Sequence, residues 1–547
     1  MSQVFIRGGT LIDGTGAAGR KADLLIENHR IAAIQVPGGL PPVGAEVVDA
    51  SGMVVAPGFI DVMSHSVSSL LADGLSVGKV TQGVTTEIMG EGWTPAPAVP
   101  GEAHGFPIHG LPGEDPAWVE RSKGWTRFGD WLTAQEQIGS AVNFGAFIGG
   151  ATVRMAARGH AEGESTPEQI AQMRRVMREA MEDGAYGLAT ALIYPPGSYA
   201  STDELVAVCD EVARSGGIYI THMRSESENI LIGFEEALEI TARSGARLHL
   251  YHLKAAGRAA WPKMQTLIDR VNAERAAGRD IHADMYLYTA GGTGLAAATP
   301  PWASEGDRLV ERLQDPADRA RIRQAMLVPD GSWEPLVHLA GAAGAFPVGL
   351  KLPEHQDYIG LSLERIAEMR GQDWIDAALD LIASEPERVG VLLHLMSEEN
   401  IETQLREPWV MIGSDAAGDD PATSPDNGIN GHPRALGNFT RLLGHYVRER
   451  QVLTLEDAVH RMTGLPAKHF QLEGRGELRE GAYADVVLFN PATVKDNASY
   501  SDAGQLSVGI LGVWVNGVRV LRDGQHTHAL PGQRLYGPGA VRPESRQ

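Results

Sequence analysis

Met53-Val54-Val55-Ala56-Pro57-Gly58-Phe59-Ile60-Asp61-Val62-Met63-Ser64-His65 is the stretch whose reading decides the fold. The apolar run Met53–Ala56 reads as a buried strand, Pro57-Gly58 as a kink, and the residues after the kink as a polar tip that ends on a histidine. A strand ending in a metal-ligand side chain is how an eight-stranded barrel enzyme keeps its chemistry, because the barrel brings the carboxyl ends of its strands together.

Outward from this stretch the chain alternates. Strand-like apolar runs lie at 84–90, 142–148, 185–190, 217–222, 247–252, 281–286 and 409–414, with helical patterns such as Pro167–Asp183 and Ile230–Ser244 between them. With the run before His65 they make eight, and eight β/α units predict a (β/α)8 barrel of the α/β class. Both ends are β-rich. Val4–Arg7 and Thr10–Asp13 flank Gly8-Gly9, and Ala22–Ile26 and Arg30–Ile34 flank an Asn28-His29 turn. Ala484–Phe489 and Val513–Val520 read as strands near the other end. The expectation is a composite β-sandwich domain from residues 1–56 and 470–547, with the barrel at 57–469 and an insertion at about 291–400. A second Pro- and Gly-rich interruption covers 91–125; long insertions at a barrel mouth serve as lids or pocket walls. The last dozen residues read as an extended tail.

The balance of 47 basic against 69 acidic residues leaves a net charge of −22. Nucleic acid and anionic membrane both call for a basic surface, so neither is expected as a partner. No apolar run approaches the roughly 18–20 residues of a membrane span, and the amino terminus lacks the apolar core of a signal peptide, so the cytoplasm is the expected location. The single cysteine, Cys209, lies in a helical pattern and reads as a small buried hydrophobe. A homo-oligomer is compatible with all of this.

The strand ends carry the functional signal. The first is followed by His65, the second by Glu91, the fifth by His222, the sixth by His252 and the eighth by Asp415. Each alone has a bland reading, a hydrogen-bonded histidine or a helix cap. Five ligand-type side chains at the same end of five barrel strands read together as a metal centre.

The phrase ending at His65 resembles the amidohydrolase superfamily, in which it ends His-x-His and both imidazoles bind a divalent metal. Tyr219-Ile220-Thr221-His222-Met223-Arg224-Ser225-Glu226, Tyr251-His252-Leu253-Lys254, Tyr286-Leu287-Tyr288-Thr289-Ala290-Gly291, Ile412-Gly413-Ser414-Asp415 and His432-Pro433-Arg434 are similar, in the same order, to the D-aminoacylase (N-acyl-D-amino-acid deacylase) family. The likeness extends from about residue 4 to Pro531-Gly532-Gln533-Arg534. It implies a tight Zn2+ held by Glu91, where the family often has cysteine, with His222 and His252. It implies a second position drawing on His65 and Asp415, with Glu91 as a bridge. Met63 stands where the family has a histidine, and a thioether is a poor zinc ligand. No lysine ends the fourth strand, Leu188–Tyr194, so no carboxylated lysine bridge is expected. One functional zinc, with the second position empty or weak, is therefore the expectation.

The resemblance further implies that Asp415 takes a proton from water and passes it to the leaving amine. Lys254, with Tyr288 and Tyr194, corresponds to groups that hold a substrate carboxylate; a solvated cation is the other reading of Lys254. His432 and Arg434, after the Asn427–Gly431 loop, either orient Asp415, close the pocket or are structural. Trp93 implies a pocket of different shape. Asn143 and Arg154 also match but receive no chemistry. The leading expectation is zinc-dependent deacylation of N-acyl-D-amino acids, or of a dipeptide with a D-residue, on a small-molecule amide substrate. Hydrolysis of a cyclic or other neutral amide is a second reading. A catalytically inactive barrel kept as a binding scaffold is a third, of another class.

Overall fold

The computed structural model describes residues 3–98, 120–423 and 431–541. Eight parallel strands close a barrel: Phe59–Ser64, Val84–Met89, Asn143–Ala146, Gly187–Ala191, Ile218–His222, Arg247–Leu250, Ile281–Met285 and Val410–Ile412. The third strand pairs with the second and then, through Ile148–Gly149, with the fourth. The eighth meets the first through a parallel bridge between Ser64 and Ala416 and an Asp415 N–H to Met63 O bond of 2.9 Å. All six residues of Phe59–Ser64 and of Val84–Met89 are buried, as strands covered on both faces must be.

The run expected to lead into the first barrel strand belongs to a different sheet. Val54–Pro57 pairs with Gln3–Leu11 and Val486–Phe489 in the sheet built from the chain ends, and the barrel strand is the phrase Phe59–Ser64 itself. Gly58 is the crossing point. A Cβ there would come within 2.1 Å of Thr85 Oγ1, so the chain can pass against the second strand only without a side chain.

The end-built sheet has nine strands and rolls over its own core of Ile6, Leu24, Ile26, Val55, Val486, Leu488 and Trp514, giving the β-sandwich. Its edge strand Arg30–Gln35 folds back onto the segment that leads into Val486–Phe489, where Ile31 N–H bonds Ala482 O and Ala484 N–H bonds His29 O. Gly8-Gly9 is not a turn between two strands. It is a register shift within one strand, Gln3–Leu11, and reads as a bulge. Conversely Val513–Val520 is two strands, Ile510–Val515 and Val518–Arg522, because Asn516 and Gly517 both take positive φ and form a tight hairpin.

The helices follow their sequence signals. Pro167–Glu182 starts with Thr166 capping the Gln169 amide in a reciprocal box and Pro at its first position, and it buries Met173, Val176, Met177, Ala180 and Met181 at helical spacing. The insertion before the last strand folds around its own apolar cluster, including Leu295, Ile322, Leu363, Leu379 and Leu393. Its three antiparallel strands are Ala290–Gly294, Ala345–Val348 and Gly390–His394. Pro531–Leu535 runs extended along the barrel base: Phe144 N–H bonds Gln533 O, and Leu535 N–H bonds Phe144 O. Asn143 pins this tail with Asp485 and Asn516, which gives it a structural task. Arg154 is likewise committed to a buried pair with Glu204. Cys209 is buried. Among the described residues no helix is long and apolar enough to cross a membrane.

Candidate metal centre and active site

The barrel gathers the carboxyl-terminal strand ends, and local backbone choices aim them. Gly90 has φ +116°, and a Cβ on it would collide with Phe147 O, so only glycine lets the chain turn Glu91 inward after the second strand. His222 is the last residue of the fifth strand. His252 and Asp415 follow their strands with φ of +31° and +51°, a region that costs non-glycine residues energy and collects at functional sites. Both are held by their amides, His252 N–H by Asp284 Oδ1 at 2.9 Å and Asp415 N–H by Met63 O.

Glu91 is the hub. Its Oε1 lies 3.1 Å from His222 Nδ1 and 3.2 Å from His252 Nε2, and its Oε2 lies 3.0 Å from His65 Nε2. His65 Nε2 is also 3.0 Å from Asp415 Oδ1. Two sets of donor atoms, Glu91–His222–His252 and His65–Glu91–Asp415, each fit within 4.8 Å and share Glu91. The outer nitrogens of the two buried histidines face Glu226, His222 Nε2 at 3.2 Å and His252 Nδ1 at 3.1 Å. A carboxylate behind each imidazole is the usual device for orienting a histidine ligand. The donor set therefore fits zinc: two imidazoles and a carboxylate converge, with their far sides held. Met63, 1% exposed, belongs to an apolar cluster with Ile88, Tyr251 and Met411.

The electrostatics are those of a site built around positive charge. Burial opposes protonation of His222, but Glu226 and then Glu91 outweigh it and raise the imidazole to about 9. Burial likewise opposes charge on His65, and its bonds to Asp415 and Glu91 raise it to about 9. His252 is also raised, burial and Lys254 being overcome by Glu226. Burial disfavours ionised Glu91 and Glu226, yet the surrounding histidines hold both carboxyls well below the usual range. For Asp415 burial is again the largest influence, and Arg434, then His65 and His252, together reverse it to hold the group near 2. Protons on the imidazoles supply the balancing charge that a divalent cation would supply in their place.

Of the expected substrate groups, Lys254 stands closest. Its Nζ is 2.7 Å from both Glu226 Oε2 and His252 Nδ1, and its side chain is 11% exposed. The Tyr194 ring meets His222 edge-on at 5.3 Å, and its hydroxyl accepts from Thr293 Oγ1. The Tyr288 hydroxyl donates to Asp496 Oδ2 at 3.0 Å. Arg434 pairs with Asp415 Oδ2 at 2.6 Å and lies over the Tyr286 ring. His432 accepts from Arg434 N–H at Nδ1, so its Nε2 donates to Ala290 O, and burial keeps it neutral, well below the ordinary histidine range. Trp93 stands against His160, with ring centroids 6.3 Å apart. Residues 427–430 of the glycine loop lie outside the described residues, as does much of the proline-rich 91–125 segment.

The sequence reading missed Glu226, whose signal was its place four residues after His222. It also missed Asp496 and Tyr500. Tyr500 accepts the Ala290 N–H and packs on His432 at 5.5 Å. Both arrive from beyond the last barrel strand, and nothing in their local pattern announces the mouth. Lys79 is a third: fully buried, it ties Asp61 of the first strand to Ser414 and Ala416 O after the eighth, directly beneath His65 and Asp415.

Comparison with known proteins gives a consistent picture. The model of the amidohydrolase family matches residues 46–521. D-aminoacylase of Alcaligenes xylosoxydans xylosoxydans is 34% identical over 530 residues, 96% of either chain. A D-aminoacylase structure concerned with a binuclear metal centre, its one-metal activation and second-metal attenuation, superposes with a TM-score of 0.78 at 31% identity, covering 98% of this chain and 99% of the other. N-acyl-D-glutamate deacylase of Bordetella bronchiseptica, solved with zinc and a phosphonate mimic of the tetrahedral intermediate, gives 0.77 at 30% identity over 98% and 100%.

Proposed function

Because the chain belongs to the amidohydrolase family, we propose that it is a zinc-dependent hydrolase of amide bonds that deacylates N-acyl-D-amino acids, with one functional ion held by Glu91, His222 and His252. The observation that carries this reading is the position of Glu91. One oxygen faces the two histidines that Glu226 orients, and the other faces His65, which touches the carboxylate of Asp415. Bound at the three ligands, zinc supplies the Lewis acidity that acidifies water and polarises a carbonyl.

The chain's own groups supply the rest. Asp415 is ionised at neutral pH because Arg434, His65 and His252 together outweigh its burial, as a general base must be. Its Oδ1 is the proton acceptor and then the donor to the leaving amine; Oδ2 is taken by Arg434, which fixes the carboxylate plane. Glu226 keeps the ligand nitrogens of His222 and His252 turned to Glu91. An ammonium has three donors; Glu226 engages Lys254 from one side, and His252 Nδ1, whose N–H is given to Glu226, accepts none of them, which leaves donors for a substrate carboxylate. His65 is 40% exposed and stands at the entrance. With Met63 withdrawn into the apolar cluster, the second metal position has His65, Asp415 and shared Glu91 only.

The same contacts of Lys254 favour a second reading. A lysine whose charge is already matched by Glu226 attracts an anion less, which suits a neutral or cyclic amide. Rates on paired N-acetyl-D- and N-acetyl-L-amino acids, with metal content, test both. D-selective turnover with zinc bound supports the deacylase. Turnover of neutral amides alone, unaffected by Lys254→Ala, supports the second reading. No turnover of any amide by the zinc-loaded chain rejects both.

A further inference from the structure

The amino-terminal end of the same barrel holds a second set of ligand-type side chains. His249 lies on the sixth strand and His282 on the seventh; Asp280 immediately precedes the seventh, and His469 ends the helix Gly464–His469. One ring nitrogen each of His282 and His469 and a carboxylate oxygen of Asp280 lie within 4.8 Å of one another. Asp280 Oδ1 is 3.1 Å from His282 Nδ1, and the two imidazole centroids are 4.2 Å apart. None of these groups takes part in the Glu91 centre, which sits beyond the opposite ends of the same strands.

His469 supplies an independent observation. It is 4% exposed, and its Nδ1 is buried with no hydrogen-bond partner among the described residues. Its Nε2 is committed at 3.1 Å to His249 Nδ1, and His249 Nε2 stands 2.9 Å from Asp284 Oδ2. When Asp284 accepts from His249 Nε2–H, His249 Nδ1 accepts from His469 Nε2–H, and His469 Nδ1 presents a bare lone pair. The reverse ordering presents a buried N–H that no acceptor meets. A buried polar atom without a partner costs free energy in either ordering, and a cation at the lone pair removes that cost. The row from carboxylate through imidazole to ligand nitrogen is the arrangement that orients histidine ligands in metal sites.

The neighbouring charges select the kind of ion. Arg247 Nη1 is 3.7 Å from Asp280 Oδ2 and also donates to His469 O, while Arg275 donates to Ile281 O. With two guanidinium groups nearby and one carboxylate, the place is unsuited to calcium or magnesium, which need several oxygen ligands. An ion bound through imidazole nitrogen tolerates it better. We propose that Asp280, His282 and His469 form a peripheral site for a divalent transition-metal ion of the zinc type, which ties the seventh strand to the helix ending at His469.

The test is zinc titrated into the chelator-stripped full chain, with bound metal counted by equilibrium dialysis and elemental analysis. His282→Gln and Asp280→Asn change side chains that are partly exposed, and each is expected to lose one equivalent of bound zinc, or to weaken it at least about tenfold, with amide turnover unchanged. His222→Ala is expected to keep that equivalent, so loss of the catalytic ion and loss of the peripheral ion are read separately. Added zinc is expected to raise the melting temperature of His222→Ala and to leave that of His222→Ala with His282→Gln unmoved. Equal stoichiometry and affinity in wild type, His282→Gln and Asp280→Asn overturn the proposal, as does a zinc-dependent melting shift of His222→Ala that survives the addition of His282→Gln.

Discussion

Arg434 Nη1 lies 2.6 Å from Asp415 Oδ2, and this pair sets the charge of the residue assigned the proton transfer. Burial alone would raise the Asp415 carboxyl; Arg434 is the largest influence in the other direction and holds it near 2. Arg434→Met removes the cation and keeps much of the side-chain volume. The base works only when ionised, so raising its pKa moves the acidic limb of the kcat/KM profile to higher pH. The expected displacement is about 1–3 pH units, the range for a carboxylate losing an adjacent arginine, with zinc content unchanged. A pH–rate profile of the two proteins measures it; coincident acidic limbs would sink the assignment.

Metal binding to this centre displaces protons. In the metal-free chain His222 is raised to about 9, so at pH 7 it carries a proton that its ligand nitrogen must give up. Zinc affinity is therefore expected to rise as pH increases through neutrality towards 9 and to level off above it. Titration calorimetry at pH 7 in buffers of different ionisation enthalpy should give a buffer-dependent heat corresponding to release of at least one proton. Heats that do not depend on the buffer would show that the imidazoles are already neutral.

Beneath the site, Lys79 and Asp61 form a fully buried pair at 2.8 Å across the seam between the first and eighth strands. Asp61 Oδ1 also accepts the amide of Ser414, the residue before Asp415. Lys79→Met leaves a buried carboxylate without its cation. Breaking such a pair from one side costs about 3–5 kcal/mol, so the variant should unfold at lower denaturant and lower temperature than the parent. A stability loss under about 1 kcal/mol would mean that water reaches the seam.

The barrel was legible because its strands are buried on both faces and their ends carry five ligand types in order. Glu91, His222, His252, His65 and Asp415 do converge, as strand position alone implied. What resisted reading was connectivity across long separations. Val54–Pro57 looks like any barrel strand, and only its pairing with Val486–Phe489, more than 400 residues later, assigns it to the sandwich. Asp496 and Tyr500 reach the mouth by a route no local periodicity records. The Asn516-Gly517 hairpin, by contrast, had a clear local signal that an apolar run obscured. Glu226 closes the Tyr219–Glu226 motif, yet its role depends on two imidazole orientations that only the assembled barrel defines.

Met63 offers the sharpest test of the one-ion reading. Met63 lies two residues before His65, at the penultimate position of the first strand. The second donor set, His65, Glu91 and Asp415, already lies within 4.8 Å but shares its carboxylate hub with the first. Met63 contributes only apolar contacts from its cluster with Ile88 and Met411. Met63→His adds a nitrogen ligand and brings the second position to four protein groups, a number that satisfies tetrahedral zinc. At equal free zinc the variant is expected to bind one more ion per chain than the parent, with some loss of stability from placing an imidazole among apolar side chains. An unchanged count would mean that the second position is limited by sharing Glu91, not by the missing histidine, and Glu91 would then be the residue that keeps this centre to one ion.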